Sequence, residues 1–279
     1  MTWFQERLYE DFSQTLSVER MIYRGRTAFQ SVTIFENRVF GKVLALDDIV
    51  QLTDRDSHIY HEMIAHAPAF AHGSPAHVLI VGGGDGGVLK EILLHPSVER
   101  ATLVELDPEV IALSREHFPA VSDGAFDDPR AEIVIGDGAA FVAETDRTFD
   151  LIIVDSTDPI GPGEALYADA FYENCRKRLR PGGIITIQGG AAFFQPEKVR
   201  AARDRLIRHF GAAQCYLAPV PTYAAGMLAL ISGGASASAL LPDPGVLNER
   251  YRTLSAKPRF YAPSVHHAAF SLASAIEKE

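Results

Sequence analysis

Three textures of apolar spacing follow one another along the chain. Up to about residue 55 the apolar runs are short, β-rich and roughly alternating: Ile22-Tyr23-Arg24, Ser31-Val32-Thr33-Ile34-Phe35, and Val39 through Leu46. Alternation of this kind predicts strands. Asn37-Arg38 and Asp47-Asp48 stand where turns belong, so residues 1–55 predict a small antiparallel β domain. Gln30 and Gln51 flank its strands and are by default solvated or sheet-edge amides. Thr53-Asp54-Arg55-Asp56 then has the composition of a helix start. A helix from about 55 to 72 would place Ile59, Met63, Ile64 and Ala67 on an apolar face, with Tyr60 and His61 beside it and Pro68 as a candidate kink.

From His77 the rhythm changes to strands alternating with helices. Strands are predicted at 77–81, 101–105, 131–135, 149–154, 182–187, 213–218 and 226–231, and helices at 87–95, 108–117, 138–145, 168–180 and 196–210. Such alternation predicts a mainly parallel sheet covered on both faces, over a domain of residues 56–279. Only Pro219 through Ala225 joins the last two strands. That is too short for a helical crossover, so an antiparallel hairpin at one sheet edge is expected. Ser232 to Ser238 reads as a loop, about 243–256 as a surface helix, and Pro263-Ser264 as the opening of a final helix.

The stretch His77 to Leu94 concentrates the candidate chemistry. Val78-Leu79-Ile80-Val81 reads as a buried strand, and the following turn holds five glycines in the six positions 82–87. Strand, glycine turn, helix is the first unit of a doubly wound α/β sheet, in which ligands sit at the carboxyl ends of the strands. Gly82-x-Gly84-x-x-Gly87, with Glu105 ending the next strand, fits dinucleotide and S-adenosyl cofactors alike. Asp85 lies inside the turn, where it would repel a diphosphate and attract a sulfonium or an amine. It favours the adenosyl-sulfonium reading.

Each of the first four strands of the sheet ends in or runs into a carboxylate: Asp85, Glu105, Asp137 and Asp155, with Asp158 three residues later. A parallel sheet brings these positions to one rim. Asp137 has a simpler explanation as the cap of the 138–145 helix. Capping does not explain Asp155 and Asp158, which flank a Pro/Gly-rich segment with no helix before about 168; that segment reads as a loop over the pocket mouth. A metal site is the rival explanation for clustered acids. Their spread over separate strands without a Cys/His set speaks against it. A lone His61 is more often a packing residue than a functional one.

Bulk properties narrow the class. The 279 residues are 47% hydrophobic and 22% charged, enough for a sizeable core. A formal net charge of −10 argues against nucleic acid or an anionic membrane as the main partner. Two cysteines, Cys175 and Cys215, form no disulfide framework and read as buried, reduced thiols. No signal-peptide pattern opens the chain and no apolar run reaches ~18 residues, so a cytoplasmic location is expected.

Taken together, Gly82 to Gly87, Val104-Glu105-Leu106-Asp107, Asp137-Gly138 and Asp155-Ser156-Thr157-Asp158-Pro159-Ile160-Gly161-Pro162 resemble the polyamine aminopropyltransferases, the spermidine synthases. Ile34 to Asn37, Leu46-Asp47, Val50-Gln51, Asp54-Arg55-Asp56, Tyr60-His61-Glu62-Met63 and Pro221-Thr222-Tyr223 extend the likeness, most closely to bacterial members. The resemblance implies a Rossmann-like, seven-stranded, methyltransferase-like fold with a small N-terminal β domain. It implies transfer of an aminopropyl group from decarboxylated S-adenosylmethionine, a co-substrate, to putrescine, giving spermidine and 5'-methylthioadenosine. No cofactor and no metal are implied, and a homodimer or higher homo-oligomer is. By the same resemblance Glu105 holds the ribose hydroxyls and Asp137 with Gly138 reads the adenine, while Gln30, Gln51, Gly82, Gly84 and Pro162 line the nucleoside. Asp85 binds the donor's ammonium, and Tyr60, His61, Gln188 and Tyr223 sit near the amines. Asp155 takes the proton and Asp158 holds the acceptor. Eukaryotic relatives carry Gln at the His61 position.

The chemistry makes the same demand. An amine of pKa about 10.4 must lose a proton to attack at pH 7, which costs roughly 4–5 kcal/mol. A nearby sulfonium disfavours the ammonium, and a carboxylate in hydrogen-bond reach removes the proton. A methyltransferase on the same fold is the nearest rival, but Asp85 would oppose its cofactor's carboxylate. A non-catalytic polyamine-binding protein is the other. Cadaverine, agmatine or spermidine as acceptor would need only a small change at the pocket's far end.

Overall fold

The computed structural model describes residues 2–156 and 161–276. The N-terminal region holds two antiparallel sheets. β1 (Thr2–Glu6) pairs with β2 (Gln14–Val18); β3 (Arg20–Arg26), β4 (Ser31–Asn37), β5 (Gly41–Leu46) and β6 (Ile49–Thr53) form a second sheet in that order. Both faces of the second sheet are covered. Val32, Ile34, Leu44, Leu46 and Leu52 pack on Val110, Phe118 and Val121 of the larger domain, and Phe35, Val43, Ala45 and Val50 pack on Phe4 of β1. Burial on both faces explains why Val43 to Leu46 is apolar throughout.

The turns at Asn37-Arg38 and Asp47-Asp48 are present, the second with both aspartates at positive φ, 47° and 60°. Val39 and Phe40, expected in a strand, lie instead in the first turn. The Asn37 side-chain oxygen accepts their two N–H groups at 2.9 and 3.1 Å. β1, β2 and β6 were not legible as strands; Gln51 lies within β6 rather than beside a strand.

α1 (Ser57–His72) starts two residues later than expected, because Asp56 turns away to accept from Thr53 Oγ1 at 2.6 Å and from the Thr222 N–H at 2.8 Å. Pro68 falls inside the helix, which runs on to His72. Thirteen of its 16 residues are buried, so it is a core helix rather than an amphipathic one. Its buried ionisable side chains are paired. His66 meets His95 at 2.9 Å and Glu91 at 3.1 Å, and Glu62 accepts the N–H groups of Arg259, Phe260 and Tyr261.

The remainder alternates as expected: β7 (His77–Gly82), α2 (Gly87–Leu93), β8 (Arg100–Glu105), α3 (Pro108–His117), α4 (Pro119–Ser122), β9 (Ala131–Ile135), α5 (Gly138–Glu144), β10 (Phe149–Asp155), α6 (Asp169–Arg178), β11 (Leu179–Ala191), α7 (Pro196–Phe210), β12 (Ala212–Pro219), β13 (Met227–Gly234), α8 (Ala237–Leu240), α9 (Pro244–Tyr251) and α10 (Pro263–Ile276). The seven-stranded sheet has the order β12-β13-β11-β10-β7-β8-β9. β13 runs antiparallel to both its neighbours, which is the expected edge hairpin. This is the Rossmann-like fold expected from the sequence. Strand order reverses between β7 and β10, where Asp155 pairs with Gly82, so the ligand crevice of a doubly wound sheet falls there.

Several boundaries differ from the sequence reading. α6 stops at Arg178 and β11 begins at Leu179, ahead of Pro181 and Gly182. Ser232 to Gly234 belongs to β13, and the supposed loop then closes into the single turn α8, whose Ala239 N–H is capped by Ser236 Oγ. α9 is shorter than the expected 243–256. A 3-10 segment, Gly161–Tyr167, occupies a stretch read as loop. Among the described residues no helix is long and apolar enough to cross a membrane.

Glu62 is 1% exposed, and all three of its hydrogen bonds hold the chain that leads into α10. Glu62→Ala leaves three backbone donors without their partner. At about 1–3 kcal/mol for each unsatisfied buried group, urea unfolding should show a loss of about 3 kcal/mol or more. A loss under about 1 kcal/mol would mean that water replaces the carboxylate there.

Candidate active site

The glycine turn after β7 is the floor of a cavity at the carboxyl ends of the parallel strands. Gly82 and Gly83 sit at φ of 83° and 72°, a region that favours glycine. A Cβ on Gly82 would strike the Asp155 carbonyl, which instead accepts the Gly83 N–H at 2.9 Å. The turn is thereby bonded to the end of β10. Gly87 opens α2 beneath the His61 ring, in the space a Cβ would take. The imidazole thus packs directly on the glycine turn.

Three acids meet here with different partners. Asp85 Oδ1 accepts the Gly87 N–H at 2.6 Å and Oδ2 faces His61 Nε2 at 3.3 Å. Burial alone would raise the Asp85 pKa, but the imidazole and the N–H outweigh it and hold the acid below its ordinary value. Burial would likewise depress His61, yet Asp85, Asp155 and Glu91 together lift it above its ordinary value. Asp155 Oδ1 accepts the Tyr60 hydroxyl at 2.6 Å, while Oδ2 is buried without a partner among the described residues. Burial, and then the Asp85 charge, push Asp155 up to about 6. Glu105 Oε1 accepts the Asp107 N–H at 2.9 Å; burial lifts this acid to about 7.

Aromatic rings close the end of the cavity beside Asp155. Tyr60 meets Tyr223 edge-on at 6.0 Å, and the Tyr223 hydroxyl donates to the Gln51 carbonyl at 2.6 Å. The loop carrying Tyr223 is anchored by Asp56, which accepts the Thr222 N–H and hydroxyl. Gln188 Nε2 donates to the Ser156 carbonyl at 3.3 Å, and its Oε1 is buried without a partner among the described residues.

The cavity brings together Gln30, Gln51, Tyr60, Gly82, Gly84, Asp85, Glu105, Asp137, Gly138, Asp155, Gln188 and Tyr223. His61 lies behind Asp85. The Gln51 amide bonds within its own strand, to the Ile49 carbonyl, so the backbone carbonyl is its link to the site. Asp137 caps α5 through the N–H groups of Ala139 and Ala140, as its simpler reading held, and also lines the cavity. Asp158 lies outside the described residues, and so does the Pro162 side chain.

Three acids lining the cavity were given no site role from the sequence: Glu6, Asp107 and the turn residue Asp47. Glu6, 4% exposed, accepts the Val50 N–H at 2.7 Å and a Gln14 amide hydrogen. Its signal was available: Glu6 shares the inward face of β1 with Phe4, two residues away. Asp107 caps α3 and receives Thr27 and Gln30 from the N-terminal domain. Among the described residues no lysine or arginine lines the cavity, and no group of three His, Cys, Asp or Glu side chains is placed to hold a metal. A pocket so lined suits a cationic ligand rather than a phosphate.

Comparison with known proteins identifies the family. Residues 57–240 match the family described as spermine/spermidine synthase domain, and residues 2–54 match the spermidine synthase tetramerisation domain. A polyamine aminopropyltransferase of Ruegeria sp. (strain TM1040) is 46% identical over 99% of this chain and 97% of its own length. One from Klebsiella pneumoniae (strain 342) is 42% identical over 96% of this chain and 94% of its own. Among solved structures, a spermidine synthase in complex with the transition-state analogue AdoDATO superposes with a TM-score of 0.91 at 36% identity, covering 99% of this chain and 95% of that one. The spermidine synthase of Thermotoga maritima gives 0.87 at 35% identity, covering 99% and 94%.

The raised Asp155 pKa has a sign that can be tested. A carboxyl held at about 6 in the folded chain, against an ordinary 3.8, disfavours folding once it ionises. The penalty is absent below pH ~4, grows to pH ~6 and is constant above, where it reaches about 2–3 kcal/mol. Asp155→Asn should therefore stabilise the ligand-free protein by about 2 kcal/mol at pH 8, with the gain shrinking as pH falls toward 4. Denaturant unfolding across that range checks it, and a gain independent of pH would contradict the assignment.

Proposed function

The chain belongs to the spermine/spermidine synthase family of polyamine aminopropyltransferases, and from that premise we propose that it transfers the aminopropyl group of decarboxylated S-adenosylmethionine to putrescine. The observation that carries this reading is the contrast between two half-buried carboxylates. Asp85 has both oxygens engaged by nitrogen groups and stays ionised. Asp155 has one oxygen without a partner among the described residues and binds a proton more readily. One is suited to hold a cation, the other to accept a proton.

In this mechanism Glu105 accepts the ribose hydroxyls, with Gln30, Gln51, Gly82, Gly84 and Pro162 along the nucleoside and Asp137 with the Gly138 backbone at the adenine edge. Asp85 binds the aminopropyl ammonium, a contact for which a cofactor retaining its carboxylate would be poorly matched. The acceptor lies among Tyr60, Tyr223 and Gln188, its remote ammonium on Asp158. Its reacting nitrogen gives a proton to Asp155 and attacks the carbon next to sulfur. The new C–N bond forms as the C–S bond breaks, and the electron pair returns to sulfur, leaving the neutral thioether 5'-methylthioadenosine. Tyr60 holds Asp155 in position through its hydroxyl, and His61 keeps Asp85 ionised before the donor binds. Positioning of two reactants in line supplies several kcal/mol of the barrier reduction.

We further infer that the reaction uses no metal and no cofactor, that the enzyme is cytoplasmic, and that it works as a homo-oligomer. The match of residues 2–54 to a tetramerisation domain supports the last point, as do Trp3, Met21 and Val39, apolar side chains exposed on that domain.

The deciding experiment is a methylthioadenosine-release assay with decarboxylated S-adenosylmethionine and a panel of amines. Putrescine should be used best, and Asp155→Asn should lower kcat by about three orders of magnitude or more, at the scale of a lost general base with its positioned amine. Use of agmatine or cadaverine in place of putrescine would keep the mechanism and change the acceptor. Donor binding without release, or methyl transfer from S-adenosylmethionine, would overturn the reading.

A further inference from the structure

We propose that Asp107 is a positioning residue of the donor site, fixing the Gln30 amide with its carbonyl as the group offered to the nucleoside and locking Glu105 to the N-terminal domain. The inference rests on the nucleoside reading given above.

Helix capping does not account for Asp107. Asp137 and Asp107 cap α5 and α3 in the same manner, each by accepting the N–H two residues on. Asp137 does so at the surface. Asp107 is 2% exposed, and a cap needs only one of its oxygens. The second oxygen, Oδ2, accepts the Thr27 hydroxyl at 2.6 Å and Gln30 Nε2 at 3.0 Å. Both donors come from the loop between β3 and β4, in the other domain.

That loop is built to deliver them. The Thr27 hydroxyl accepts the N–H groups of Phe29 and Gln30, at 3.1 and 3.2 Å, and its proton goes to Asp107 at 2.6 Å ahead of the Gln30 carbonyl at 3.3 Å. The Thr27 N–H closes the loop on the Gln30 carbonyl at 2.9 Å. An ionised carboxylate can only accept, so Gln30 must turn its NH2 toward Asp107. Its Oε1 is then what remains for a ligand. On the other side, the Asp107 N–H holds Glu105 Oε1 at 2.9 Å. Ribose hydroxyls are donors, and Gln30 Oε1 with the Glu105 carboxylate form a matched pair of acceptors. One buried side chain and its own amide orient both.

The test exchanges charge between the two residues. In Asp107→Asn a side-chain NH2 faces Gln30, whose amide must flip and present a donor to the ribose. Calorimetry with methylthioadenosine and steady-state kinetics with decarboxylated S-adenosylmethionine should show Kd and donor KM raised about tenfold or more, with kcat at saturating donor within about twofold. Adding Gln30→Glu restores an acceptor on both sides, so the double variant should recover most of the loss. A role in folding alone would leave the double variant no better than the single. Asp107→Asn binding within about twofold of the unaltered protein, or a double variant without recovery, overturns the inference. Should the unaltered protein fail to bind methylthioadenosine, the nucleoside reading fails and takes this inference with it. If Asp107→Asn does not fold, Gln30→Glu against Gln30→Ala decides. With Asp107 intact, the carboxylate of the Gln30→Glu variant faces a second acid, so this variant should bind methylthioadenosine more weakly than Gln30→Ala. Equal or tighter binding overturns the proposal.

Discussion

The constraint on which the structure depends is a cavity lined by several carboxylates and, among its described residues, by no lysine or arginine. Ionising acids away from water is unfavourable, and like charges in one space add to it. Asp155 and Glu105 express this directly, held at about 6 and about 7. Asp85 escapes because an imidazole and a backbone N–H face it. At ~1.4 kcal/mol per pK unit, the strain stored in the ligand-free site is a few kcal/mol, a sizeable part of a domain's net stability of about 5–15 kcal/mol. A sulfonium and two ammonium groups would reverse its sign. The pocket is disfavoured without ligand for the same reason that it suits a polycation.

Holding such a site open requires a frame that cannot relax, and α1 supplies much of it. A helix buried on nearly every side cannot rotate to let Tyr60 and His61 leave the acids. Its polar side chains fall at the site on one side and at structural joints on the other. Glu62 secures the chain leading into α10, and His66 ties α1 to Glu91 on α2, the helix that begins at the glycine turn. The N-terminal domain closes the opposite wall. Asp56 fixes the Tyr223 loop, and Asp107 fixes the Gln30 loop. In both joints a buried aspartate takes hydrogen bonds from a distant threonine, and the Asp107 joint ties the two domains together.

How far this was legible in the sequence follows from what each element buries. Strands β7, β8, β10 and β11 are covered on both faces and read as apolar runs. The glycine turn and the acids at the strand ends followed from that topology. β1 and β2 were missed because they bury little beyond Phe4 and Glu6 and look polar. Val39 and Phe40 were misassigned because a side-chain hydrogen bond from Asn37, not hydrophobicity, decides their conformation. Asp107 and Glu6 were passed over for a related reason. Within its own segment each acid looks ordinary, and its partners, Thr27 and Gln30 for one and Val50 for the other, are brought to it only by the tertiary fold.

The same logic explains how carboxylates on one rim come to differ. Asp85, Glu105 and Asp155 differ neither in functional group nor greatly in burial. They differ in who donates to them. Asp85 receives nitrogen donors at both oxygens, so its charge persists and it can only bind. Glu105 takes backbone N–H groups, that of Asp107 at 2.9 Å and that of Gly84, which only partly offset its burial. Asp155 takes the Tyr60 hydroxyl at one oxygen and has no partner at the other among the described residues, so it holds a proton far more readily than Asp85. A tyrosine is well suited to that place, since burial and the adjacent acid hold its own pKa far above the ordinary value and it steers the carboxylate without competing for the proton. Hydrogen-bond partners, set by α1, the glycine turn and the N-terminal domain, thus give like charges on one rim three different affinities for a proton.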